Sequence, residues 1–285
     1  MTISPWPGVR IQNWRAVLGT GVLFPPSLAN VGTMSQRTRT RQPPASRQGP
    51  SSPFGDVALG LLPILAVSFT TCRILALPTS HVLLAVAPYA ALGSLLLAKL
   101  PSYHPGPGLG TGNRLTLARA TLVLPFAAPA LWPGVLTGEG YWWIVGLSTI
   151  ALVLDGLDGP LARRTGTASA FGARFDMELD ALLLMALSAL LWRSGKTGSW
   201  VLLVGALRYF FLLGGLLWPP LRGELPPSRR RKVICAVQGI VLVICLAPVT
   251  RSAPATTLAA SALLLLVYSF VVDTWWLARS AGSGS

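Results

Sequence analysis

Eight apolar segments, each long enough to cross a bilayer, dominate the chain between residues 57 and 277. They fall near 57–77, 80–100, 115–133, 141–158, 174–192, 199–218, 233–249 and 256–277. A hydrocarbon core of ~30 Å needs about 20 such residues in a helix. Within that core every backbone N–H and C=O must find a partner in the chain itself, which leaves helices or a closed barrel. Runs of this length select helices. Of the 285 residues, 52% are hydrophobic and 11% charged, and a soluble domain carries roughly twice that charged fraction. The expected fold is an all-α integral membrane protein.

The net charge is +14. In proteins that bind nucleic acid, such a charge gathers on a soluble polar face. Here the arginines occupy short stretches between apolar runs, where cytoplasmic loops favour them and anionic lipids attract them. The charge therefore marks topology and contact with membrane lipids, and no nucleic-acid partner is expected. "LRGELPPSRRRK" (221–232) is the most basic loop and sets the cytoplasmic side. Alternation then puts 101–114, 159–173 and both termini on that side. Trp132, Tyr141, Trp142, Trp143, Trp192 and Trp200 form an aromatic belt at the opposite face.

Residues 1–55 hold six arginines and no acid, and "SQRTRTRQPPASRQGPSSP" is nearly free of apolar side chains. Such a segment cannot bury enough surface to fold, so a disordered basic tail is expected. "GPGLGTGN" (106–113) has no strand before it, fails as a dinucleotide loop, and reads as a flexible linker. Cys72, Cys235 and Cys245 all sit within apolar runs and suggest small buried hydrophobes rather than a metal or disulfide framework.

The chain has nine acidic residues, and five of them lie in "VLDGLDGPLARRTGTASAFGARFDMELDALLLM" (153–185). Residues three or four apart share a helix face. Asp155 and Asp158 therefore point together at the end of the fourth run, and Asp176 and Asp180 at the start of the fifth. Glu178 falls on the other side of its helix. If the two helices are neighbours, four carboxylates converge near the membrane boundary, a repulsive arrangement in a low dielectric. Hard oxygen donors in this number suit divalent cations such as Mg2+ or Mn2+. Carboxylates around a pair of ions can hold a diphosphate for in-line displacement at phosphorus. Arg163, Arg164 and Arg174 lie in the same region and could neutralise phosphate oxygens.

The spacing D-x-x-D-G-x-x-A-R, eight residues, then G-x-x-x-D-x-x-x-D is met by Asp155, Asp158, Gly159, Ala162, Arg163, Gly172, Asp176 and Asp180. It resembles the signature of the CDP-alcohol phosphotransferase family, class I. The resemblance spans roughly 113–277 and implies a six-helix catalytic core preceded by about two extra transmembrane helices. It implies that Asp155, Asp158 and Asp176 hold two divalent cations on the diphosphate of a CDP-linked lipid donor. Asp180 would share the metal site and act as general base for the hydroxyl of a small alcohol acceptor, with CMP leaving. Gly159, Ala162 and Gly172 would let the nucleotide approach, and Arg163 would contact its phosphates. "GNRLTLARATLV" resembles the segment preceding the family signature, so Asn113, Thr116 and Arg119, spaced three apart, would line the nucleotide pocket. The resemblance also implies a homodimer, and suggests a bacterial inner membrane with the active site facing the cytoplasm.

The domain organisation expected is a tail over 1–55, two helices and a linker over 56–112, a catalytic core over 113–278, and a flexible tail over 279–285. Pro160 should end or kink the fourth span. The proline and lysine that the phosphatidylglycerophosphate synthase branch carries around the last two aspartates are missing, since this chain reads "MELDALLL" there. Arg208 lies mid-span, where a charge costs ~3 kcal/mol unless paired or hydrated. It is a candidate for the acceptor phosphate, or else a partner for an aspartate. Arg229 and Arg230 are candidates for the acceptor or for lipid headgroups. Two rival readings are an intramembrane prenyltransferase and a secondary transporter with a carboxylate cation site. The first lacks a second acidic motif here, and the second lacks an internal repeat.

Overall fold

A computed structural model describes residues 52–103, 109–127, 129–131, 136, 138–164, 170–218 and 228–282. The basic tail, Trp132 and the greater part of the 221–232 loop lie outside the described residues. So do the side chains of Asp158, Gly159, Ala162, Arg163 and Arg164. All described elements are helical. They are α1 (Pro53–Leu59), α2 (Leu61–Ile74), α3 (His81–Tyr103), α4 (Thr111–Ala127), α5 (Gly138–Arg164), α6 (Ala170–Arg193), α7 (Leu202–Leu217), α8 (Arg229–Leu246) and α9 (Ser252–Gly282). Helices α1 and α2 together make the first span and α3 the second, which leaves six helices for the core.

Five stretches are apolar and long enough to cross a membrane: Pro53–Ile74, His81–Ala98, Gly138–Leu157, Ser199–Leu217 and Ser252–Arg279. Helices α4, α6 and α8 fall short of that apolarity because they carry Arg114 and Arg119, then Asp176, Glu178 and Asp180, then Arg229 to Lys232. They are also the helices whose neighbours are mostly protein. Helix α6 packs on α4, α7 and α8, and α4 packs on α2, α3, α5 and α6. A helix surrounded by protein needs partners for its polar groups, not lipid-facing hydrophobicity.

The core follows from this arrangement. Leu183, Leu187, Leu190 and Leu191 of α6 are almost fully buried. They meet Leu117, Ala120, Val123 and Leu124 of α4 within one hydrophobic cluster. Helices α6 and α7 approach closely at Gly205, where an added Cβ would come within 2.5 Å of the Met185 Cα. Small residues permit such backbone proximity where the hydrophobic effect does not drive helices together. At the far end of the bundle from the aspartates, Lys196 Nζ donates to the carbonyls of Cys245, Leu246 and Ala247 at 3.1, 3.2 and 2.7 Å. These are among the last carbonyls of α8, which have no partner within the helix.

Three expectations change. Helix α5 runs on to Arg164, through Pro160. Proline deprives only the Gly156 carbonyl of its usual donor, and Gly156 is exposed. Second, Leu109–Asn113 is anchored rather than a flexible linker. Leu109 is fully buried, and its N–H donates to Asp56 Oδ2 at 3.3 Å. The same oxygen accepts from Arg114 Nε at 2.8 Å. Asp56, in α1, thereby fixes the start of α4. Third, α9 continues to Gly282, so residues 279–282 are helical rather than tail.

Candidate active site

Three helices supply the site. Asp155 lies two thirds of the way along α5, and Asp176 and Asp180 lie one turn apart in α6. Arg119 lies midway along α4, which packs against both. One oxygen from each of the three aspartates can be chosen so that all lie within 4.8 Å of one another. The aspartate side chains are 23–29% exposed, whereas the Arg119 side chain is fully buried. Arg119 Nη1 sits 2.8 Å from Asp155 Oδ1 and donates to Asp176 Oδ1, while Nη2 donates to Asp180 Oδ1. One guanidinium thus serves three carboxylates. Its two terminal nitrogens share the three carboxylates between them.

The donor set fits a divalent cation: three hard carboxylate oxygens converge from two helices, open on the solvent side and closed by Arg119 on the other. Asp158 shares the α5 turn with Asp155, and its side chain lies outside the described residues, as do those of Gly159, Ala162 and Arg163. Gly172 opens α6 one turn before Asp176.

The α4 face expected to line the pocket is buried as a unit, with Asn113, Thr116 and Arg119 at 5%, 3% and 0% exposure. Asn113 Nδ2 donates to the Leu109 carbonyl at 2.8 Å and Thr116 Oγ1 to the Gly112 carbonyl at 3.1 Å. Both side chains thus fold back on their own helix, and Arg119 alone of the three reaches across to the aspartates.

This carboxylate geometry has a counterpart among known proteins. A family model for CDP-alcohol phosphatidyltransferases matches residues 110–275, which takes in α4 and nearly all of the chain that follows. The chain belongs to the CDP-alcohol phosphatidyltransferase family. No solved structure matches the chain. The family consists of membrane-embedded, all-helical transferases that move a phosphatidyl group from a CDP-alcohol. Its members generally use divalent metals. The prenyltransferase and transporter readings give way to this membership.

Two of the arginines expected to meet the acceptor, Arg208 and Arg230, find protein partners. Arg208 of α7 donates to Glu178 of α6, and both are partly exposed. Glu178 does face away from the aspartate cluster, as its helical phase requires, and that phase turns it towards α7. Arg230 donates to Asp273 of α9 and to the Ser269 carbonyl, the latter at 3.4 Å. Arg231 reaches the same Asp273 oxygen at 3.4 Å. Arg229 is exposed at the first position of α8. The carboxylate partners of Arg119, Arg208 and Arg230 lie 30 to 61 residues away along the chain. No local pattern could have named them.

Proposed function

We propose that the chain transfers a phosphatidyl or other substituted phosphoryl group from a CDP-alcohol, such as CDP-diacylglycerol, to the hydroxyl of a small alcohol, releasing CMP, in phospholipid synthesis. One observation carries this reading. Asp155, Asp176 and Asp180 present oxygens within 4.8 Å of one another, next to a buried arginine, on the stretch that matches the family. The basic loops argue for a site on the cytoplasmic side of the membrane, in keeping with a bacterial inner membrane.

Asp155 and Asp176, with Asp158, would hold a pair of divalent cations, and Asp180 would share that site. Bound cations supply Lewis-acid stabilisation of charge on the diphosphate oxygens. The chain's own residues do the rest. Asp180, on the α6 face that carries Asp176, accepts the proton of the incoming hydroxyl. The hydroxyl oxygen forms its bond to the β-phosphorus as the bond from that phosphorus to the CMP oxygen breaks, and CMP leaves with the electron pair. Arg119 would supply positive charge to the diphosphate. Asn113 and Thr116 position the α4 face against the nucleotide, and Arg163 takes a further phosphate oxygen. Arg208, on the α7 helix that packs against α6, would contact a phosphorylated acceptor.

The test uses purified protein with CDP-diacylglycerol, Mn2+ or Mg2+, and a panel of glycerol 3-phosphate, serine, inositol, inositol phosphate and choline. Cation-dependent CMP release with one acceptor is expected. Asp180→Asn should reduce it by about 10²–10⁴-fold, the contribution of a positioned base, with insertion unchanged. Failure to bind CDP-diacylglycerol would overturn the reading.

A further inference from the structure

Arg119 holds the carboxylates that a cation would need. Its side chain is fully buried, and it is held by the same three carboxylates that converge as a candidate cation site. A buried guanidinium requires an anionic partner, and three clustered carboxylates require a positive charge. Each meets the other's need. A divalent ion entering among these oxygens would face the guanidinium across hydrogen-bond distances, and the two cations would repel strongly in this low-dielectric setting. Arg119 must then give up carboxylate bonds and find another anion. The diphosphate that accompanies the metal is that anion, and a guanidinium fork suits phosphate oxygens as well as it suits carboxylates. The backbone need not move for this, since Asp56 fixes the start of α4 through Leu109 and Arg114.

We propose that Arg119 is the built-in counter-ion of the carboxylate site and exchanges places with the catalytic cation. Cation entry releases the guanidinium from Asp155, Asp176 and Asp180, and the guanidinium then binds the donor's diphosphate. The inference rests on the cation-and-diphosphate reading above and adds a coupling. Because one arginine opposes the cation when alone and assists the nucleotide when released, each ligand raises the affinity for the other by the same factor.

The experiment measures Mn2+ binding to the purified full chain by electron paramagnetic resonance, with and without CDP, alongside the thermal melting profile. The wild type should bind Mn2+ weakly alone and about tenfold more tightly with CDP, within the usual range for coupled sites. Arg119→Gln should bind Mn2+ about tenfold more tightly than wild type in the absence of CDP, and CDP should no longer change that affinity. Such a gain cannot come from a damaged fold. Arg119→Lys cannot span three carboxylates with one ammonium, so its Mn2+ affinity without CDP should lie between the two, and it carries the test if the glutamine variant does not fold. Equal Mn2+ affinity in wild type and either folded variant overturns the exchange while leaving the cation site standing. Absence of Mn2+ binding from wild type and variants alike overturns the cation site, and the exchange with it.

Discussion

Two charge clusters in this molecule are built with opposite imbalance. At the junction of α4, α5 and α6, one arginine is shared by three aspartates. Between α8 and α9, one aspartate is shared by two arginines, with Arg230 and Arg231 both on Asp273. Among the described side chains the first has fewer cations than acids, and its carboxylates are partly open to solvent. The second buries its shared acid, at 7% exposure, away from solvent. Charge that exceeds what the chain itself balances marks where a ligand of opposite sign is welcome. A buried acid held by two guanidinium groups of the neighbouring helix is structural. The Arg208–Glu178 pair is the balanced case, one to one and half in solvent.

Neutralising one acid in each cluster separates these roles. Asp176→Asn should cut CMP formation by about a hundredfold or more, as loss of a metal-binding carboxylate does to a cation-dependent step. Its melting temperature should hold or rise, because the remaining two aspartates still satisfy Arg119 and one repulsion is gone. A fall in stability would show the cluster to be a structural network. Asp273→Asn should do the reverse, costing about 1–3 kcal/mol of stability by leaving two guanidinium groups without their charged partner. Chemical denaturation or a thermal melt of the purified variant measures it, and no loss would remove the contrast drawn here.

Smaller effects sharpen the comparison. Asp56→Ala should cost about 1 kcal/mol for its lost hydrogen bonds and should raise the KM for the CDP donor more than it lowers kcat, since α4 loses its anchor while the aspartates keep theirs. An unchanged KM would confine Asp56 to stability. A double-mutant cycle on Arg208 and Glu178 should return less than about 1 kcal/mol, the range of solvent-screened pairs. A larger coupling would place that pair in the buried network with the aspartates.

The aspartate site was legible because helical phase is a local property. Spacings of three and four put Asp176 and Asp180 on one face and turned Glu178 away, and both statements hold in three dimensions. The spacing of Asn113, Thr116 and Arg119 likewise predicted a common face. Hydropathy located a helical run at each of the eight places, and among the described residues five of these are apolar and long enough to cross a membrane. What the sequence withheld is which faces meet. Arg119 and Asp180 are 61 residues apart, and Arg114 and Asp56 are 58, and nothing in either local pattern names the other. Leu109 looked like part of a glycine-rich linker because the acid that fixes it belongs to a helix outside the catalytic core. Asp273, unremarkable within an apolar run, proved to be the acid that holds two arginines.

The Asp56 contact also bears on the order of assembly. Synthesis proceeds from the N-terminus, and segments fold as they emerge. Helices α1 to α3 are therefore made before α4, and the Asp56 carboxylate is present some 58 residues before Arg114. Through the Asp56 contact, the depth of α4, and with it that of Arg119, is tied to a helix made earlier.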